Sequence, residues 1–504
     1  MADRTGNSRR IARNTLALYV RMIVIMLIRL YASRVILDVL GIDDYGLYNV
    51  IAGMVVMFSF LNNAMTDSSQ RFLTFELGRN DIKRLALVFR TSKVIHALVA
   101  LVLFVILEIF GMWFVNTQMN IPEGRLSACL WVMQLSVVTA MLKIITVPYN
   151  AIIIAHERMN VFALISVIEA VLLLLILYVL DAVNYDKLIL YGILVLVVQV
   201  VVTCIYMTYC MMRFDLHKRK TTFDRSLFKE MTGFAGWNIC GNMAQLFSTH
   251  GLNMLLNVFF TPAVNAARGI AVTVQGAVGQ FSGSFQSALN PQITKSYAMG
   301  DNSYLSRLIF FSSKFTFYLL TIVSLPLLLE TDFAMHLWLK DVPALSVIFF
   351  RLILLTTIIE AVVNPVNVAV AATGNIKWYQ TLNGIITISV LPIAYILFQS
   401  GYPPVAAFVV QLLLCVISFI VRFYIMRGMI EVSIRDYIND VLINCLVVVV
   451  VSALVPLAIH MSLEPSWLRF VSVLVASVVC CLVTMWFLGL NSSERQSVCS
   501  YLRA

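Results

Sequence analysis

Apolar stretches long enough to cross a bilayer alternate with short polar breaks from Asn14 to Leu490, about fourteen in all. The pattern predicts helices over 14–37, 46–66, 88–115, 127–155, 161–180, 188–212, 231–259, 266–290, 306–329, 344–372, 380–399, 403–426, 438–461 and 467–489. A chain buried in lipid over most of its length leaves no room for a soluble catalytic or nucleotide-binding domain. It points to an all-α polytopic membrane protein, not an enzyme, that moves something across the bilayer.

The longest polar break, Arg213 to Lys229, carries six basic residues and falls after the sixth predicted helix. It divides the chain into a first lobe of helices one to six (1–212), a basic linker (213–230), a second lobe of helices seven to twelve (231–427) and two additional helices with a tail (428–504). The two lobes echo each other. Pro148-Tyr149-Asn150 recurs as Pro365-Val366-Asn367, each followed five residues later by an alanine, Ala155 or Ala372, and Gln70 to Gly78 is matched by Gln292 to Gly300. Equivalent helices are six apart, an even number, so both lobes cross in the same direction. That predicts a parallel pseudo-repeat about an axis along the membrane normal, with a cavity expected between lobes.

Composition agrees: 60% of residues are hydrophobic and only 12% charged, against about a quarter charged in soluble domains. In a soluble protein the net charge of +10 would suggest nucleic acid, but here it must be read by location. With a cytoplasmic amino terminus, Arg9, Arg10, Arg84, Lys218, Arg219, Lys220, Arg422, Arg427 and Arg495 all fall inside, and the outer loops keep only Arg125, Lys187, Lys340 and Arg469. Both termini are therefore expected in the cytoplasm. The first apolar run is too long for a signal-peptide core, lacks a small-residue cleavage site and is expected to be retained. The nine cysteines show no C-x-x-C spacing and read as packing residues. No Gly-rich phosphate loop is present, which excludes ATP hydrolysis by this polypeptide.

Charges within a bilayer cost about 2.5–3.5 kcal/mol on insertion scales, and those retained face a cavity or a partner. Arg21 and Arg29 lie within about 80° of each other around one helix. With Lys143 and Arg268 they form a basic set suited to a phosphate or diphosphate. The alternative is that these cations neutralise Glu108, Glu169 and other buried acids. Glu360, Asn364 and Asn367 form an i, i+4, i+7 stripe, and Pro365 removes the backbone hydrogen bond to the carbonyl of Ala361. This set is a candidate for a coupling Na+ or H+, no other cofactor or metal being expected; the alternative pairs Glu360 with Arg351. Asn238, Asn242, Gln245, Thr249 and Asn253 recur every three to four residues, continued on the next helix by Gln275, Ser282 and Gln286. Such a stripe serves either interhelical hydrogen bonds or a cavity lining suited to sugar hydroxyls.

The run Leu40-Gly41-Ile42-Asp43-Asp44-Tyr45-Gly46-Leu47-Tyr48-Asn49, with Ser69-Gln70-Arg71-Phe72 and Glu76-Leu77-Gly78, resembles the polysaccharide-biosynthesis flippases of the multidrug/oligosaccharidyl-lipid/polysaccharide exporter (MOP) superfamily, which have a MATE-like fold. The resemblance implies two lobes around a cavity that opens alternately to each side. It further implies a bacterial inner-membrane protein that carries undecaprenyl-diphosphate-linked oligosaccharide from the cytoplasmic to the periplasmic leaflet, for O-antigen, capsule or exopolysaccharide assembly. Its partners would be that lipid-linked substrate, membrane lipids and polysaccharide polymerase machinery, with no nucleic acid. Arg21, Arg29 and Lys143 match the family in character rather than through a motif. A cation-coupled multidrug antiporter of the same fold is the rival reading, and it calls for acidic rather than basic cavity residues. A scaffold in an envelope complex would be indifferent to substitution of the intramembrane charges.

Overall fold

The computed structural model describes residues 13–495 except 29–30, 33–34, 37–38, 41–43, 45–46, 49–50, 52–54, 56–58, 118–120, 122–123, 215–223, 261, 339–341, 344 and 492–493. Arg29 and Arg34, part of the 40–49 motif and the centre of the basic linker therefore lie outside the described residues. Among the described residues the regular structure is helical, with no strand. The elements are α1 (13–28), α2 (Ser59–Gly78), α3 (Ile82–Thr117), α4 (Leu126–Ala155), α5 (Met159–Ala182), α6 (Lys187–Arg213), α7 (Arg225–Phe259), α8 (Pro262–Met299), α9 (Asn302–Leu329), the short α10 (Thr331–Trp338), α11 (Ser346–Thr373), α12 (Lys377–Gln399), α13 (Val405–Arg427), α14 (Ile434–Ser462) and α15 (Trp467–Gly489).

Ten of these, α3 to α6, α9 and α11 to α15, are long and apolar enough to cross a membrane. The first two predicted spans are interrupted by residues not described. The other two are α7 and α8, long helices whose amides, hydroxyls and glycines dilute their apolar character. A helix that is polar along one stripe can still cross a bilayer when that stripe is covered by protein or lines water.

The chain forms two compact units, Arg13–Ile239 and, among the described residues, Cys240 onward. The division falls within α7, whereas the sequence pattern drew its boundary at the basic linker. In the first unit, Leu103, Leu107, Cys129, Val132, Met133 and Val137 pack α3 against α4. At the start of α4, Arg125 bridges Asp44 and Asp186, and Asp186 also caps α6 by accepting from the backbone N–H groups of Leu188 and Ile189 at 3.1 Å. In the second unit, Leu289, Ile293, Val363, Val366, Met426 and Tyr437 bury α8, α11, α13 and α14 against one another.

The local echoes between lobes have structural counterparts. Pro148 and Pro365 each lie inside a long helix, α4 and α11. The joints after α2 and α8 are also alike: a left-handed residue, Asn80 (φ 55°) or Gly300 (φ 74°), is followed by Asp81 or Asp301. Each aspartate caps the next helix by accepting from the N–H three residues on, Arg84 or Tyr304, at 2.9 Å.

Candidate functional site

Helix α11 is broken chemically at Pro365. Lacking an N–H, the proline leaves the carbonyl of Ala361 without its helical donor, and a bare carbonyl in a dry interior costs several kcal/mol. Gln286 of α8 supplies the missing donor: its Nε2 donates to the Ala361 oxygen at 3.1 Å, while its Oε1 accepts from the Asn364 amide. The next carbonyl, Val362, accepts from the hydroxyls of Ser313 (2.9 Å) and Tyr437 (3.2 Å). The oxygen that the sequence offered as an ion ligand is thus hydrogen-bonded to α8. Asn367, the last member of the stripe, accepts from the Tyr379 hydroxyl.

Glu360 behaves differently. Its side chain is exposed to a cavity of about 40 Å³, lined also by Gln245, Ser248, Thr356, Thr387, Gln411, Ser418 and Arg422. Neither Asn364 nor Asn367 lines it. Arg422 is fixed there by Asn383, whose single side-chain oxygen accepts from Arg422 Nε (3.0 Å), Arg422 Nη2 (2.6 Å) and the Ser418 hydroxyl (2.7 Å). Arg351, the partner the sequence offered Glu360, instead lies on Asp332 at 3.1 Å.

The sequence reading placed Arg422 among the inside-loop cations, and so missed its place beside Glu360. A signal was present: Gln411, Cys415, Ser418 and Arg422 recur at i, i+4, i+7 and i+11, one polar face of α13.

The remaining candidates divide between the two units. In the first, the Arg21 guanidinium stacks over the Phe162 ring, 4.4 Å from its centroid. Glu108 accepts from the Gln134 amide at 2.8 Å, and Lys143 is exposed on α4. In the second, Arg268 is only 5% exposed, donates to Asn253 Oδ1, and has a buried Nε with no hydrogen-bond partner among the described residues.

The polar stripe of α7 separates likewise. Asn238 lies on the first unit's side of the division and Asn242 on the second's. Gln245 faces the cavity, Thr249 is half-buried, Asn253 holds Arg268, and Gln275 donates to Thr357 at 2.8 Å.

No family model and no curated protein matches the sequence. Solved structures do match in fold. A mutant MATE aligns with a TM-score of 0.70 at 12% identity, over 84% of this chain and 97% of its own. An outward-facing multidrug resistance MATE family transporter of the MOP superfamily aligns at 0.68 and 12% identity, over 84% of this chain and 95% of its own. A MOP superfamily transporter from Pyrococcus furiosus, described by a binding pocket of reverse polarity that suggests a different function, gives the same TM-score, identity and coverage. The chain therefore has the MATE fold, and the ten bilayer-length helices among its described residues make it a multi-pass membrane protein.

Proposed function

We propose that this chain is a flippase that carries an undecaprenyl-diphosphate-linked oligosaccharide from the cytoplasmic to the periplasmic leaflet, for assembly of a surface polysaccharide. The observation that carries the reading is Arg268: a guanidinium 5% exposed, held by a neutral amide, with its Nε unbonded among the described residues. A buried cation is stable only when compensated, and a fork of N–H donors held by an amide is suited to a phosphate oxygen. Arg21, half-buried against Phe162, offers a second cation of the same type in the other unit. The polar groups of α7 suit glycan hydroxyls. Within this fold the Pyrococcus furiosus transporter, whose reversed pocket polarity suggests a different function, supports the idea that pocket charge distinguishes substrates.

A cation-coupled multidrug antiporter is the second reading, favoured by the open carboxylate of Glu360. Lipid analysis of a deletion strain separates the two. Diphosphate-linked oligosaccharide that accumulates on the inner leaflet, and is cleared by the wild-type gene but not by Arg268→Gln at equal abundance, supports the flippase. Normal lipid levels with drug hypersensitivity support the antiporter.

A further inference from the structure

We infer that Arg422 determines ion specificity in the second unit: it is a tethered counter-ion for Glu360, and its presence excludes metal cations from the cavity. The sequence alone reads Glu360 with its two asparagines as a ligand set for a hard cation, which needs several oxygens around it. The structure distributes that set elsewhere. Asn364 is held by Gln286, Asn367 by Tyr379, and the Ala361 carbonyl by Gln286. What shares the cavity with Glu360 is the guanidinium of Arg422, a positive charge lining the same space as the carboxylate.

Arg422 is held firmly in this position. Two of its nitrogens converge on the one oxygen of Asn383, at 3.0 and 2.6 Å, and Ser418 braces that oxygen from the same helix. The cavity of about 40 Å³ has room for roughly three waters. A sodium ion entering it would stand against a fixed guanidinium, where poor screening strengthens repulsion between like charges. Among the described residues, the only titratable side chain lining the space apart from Glu360 and Arg422 is Cys415.

The inference deepens the transporter reading, since it says that sodium does not drive the cycle at Glu360. Its test is a binding measurement, independent of which lipid or drug is carried. Purified full-length chain is unfolded thermally in sodium chloride or choline chloride at matched ionic strength, as wild type, Glu360→Gln, Arg422→Gln and the double variant.

The expected result is that wild type and Glu360→Gln melt at the same temperature in both salts. Arg422→Gln gains a midpoint that rises with the logarithm of sodium concentration, and Glu360→Gln cancels the gain. A sodium-dependent rise in wild type that Glu360→Gln abolishes overturns the inference, as does a folded Arg422→Gln that ignores sodium. If Arg422→Gln does not fold, the comparison of wild type with Glu360→Gln still decides: indifference supports exclusion, and Glu360-dependent stabilisation by sodium refutes it.

Discussion

The ammonium of Lys314 lies 2.6 Å from a carboxylate oxygen of Glu494, joining the middle of α9 to the segment that follows α15. Lys314 is 2% exposed, and Glu494 compensates its buried charge. The approach of this segment is set by Gly489, where a Cβ would stand 2.7 Å from the Tyr318 hydroxyl, and by the Tyr318 O–H, which donates to the Gly489 carbonyl at 3.2 Å. The two additional helices are thus tied into the second unit by a buried ion pair as well as by apolar packing.

Removing one member of this pair strands a charge, which costs about 3–5 kcal/mol, whereas removing both is close to neutral. Glu494→Ala is expected to lower the unfolding free energy in detergent by about that amount, and Lys314→Met with Glu494→Ala to recover most of it. Equal losses in the single and double variants would mean the pair contributes through packing and not through charge.

A second bridge ties the same helices to the other end of α9. Glu330, 2% exposed, accepts from His460 Nδ1 at 2.7 Å and from Arg469 Nη2 at 2.8 Å. Loss of the shared acceptor leaves Arg469 buried and uncompensated, while loss of His460, about a third exposed, removes one hydrogen bond. Denaturation midpoints should therefore rank wild type above His460→Ala, which costs about 1 kcal/mol. Glu330→Ala should fall lowest, at about 3 kcal/mol or more. A His460→Ala loss equal to that of Glu330→Ala would contradict this division.

Much of this architecture was legible in the sequence. Period and length located the ten bilayer-length helices, and the paired Pro-x-Asn segments located two helices, α4 and α11, with an internal proline. What escaped were contacts between helices far apart in the chain. Periodicity places Asn364 on a face with Glu360, but only the packing of α8 beside α11 shows Gln286 reaching both Asn364 and the Ala361 oxygen. Arg422 escaped for a related reason. Near the end of a helix a cation reads as an interfacial anchor, and the facing acid comes from a residue sixty-two positions earlier.

The Gln286 bridge makes a prediction about Pro365. Gln286→Leu leaves a carbonyl and an amide unsatisfied in the interior, at about 1–3 kcal/mol each. Pro365→Ala restores the helical N–H that the Ala361 oxygen lacks. The Leu substitution should therefore cost less in a Pro365→Ala background, by at least about 1 kcal/mol in a double-mutant cycle read by thermal unfolding. A coupling of zero would mean that the Ala361 oxygen gains no helical donor when the proline is removed.

Arg268 yields the sharpest test of the transport proposal, because its partner Asn253 can be changed without touching the cation. Arg268 donates to the Asn253 side-chain oxygen. Asn253→Asp keeps that oxygen and adds a negative charge, turning a hydrogen bond to an amide into a buried ion pair. If Arg268 serves the protein's stability, the change is tolerated or stabilising and transport is unaffected. If Arg268 serves a diphosphate, the new carboxylate occupies the guanidinium and repels the substrate. A loss of about 1.4 kcal/mol or more of interaction then lowers flipping tenfold or more. Asn253→Ala, which frees Arg268 without neutralising it, should do less harm. Accumulated lipid-linked oligosaccharide, measured at equal protein abundance, should therefore be high for Asn253→Asp and close to wild type for Asn253→Ala; the reverse order would assign Arg268 to structure and not to substrate.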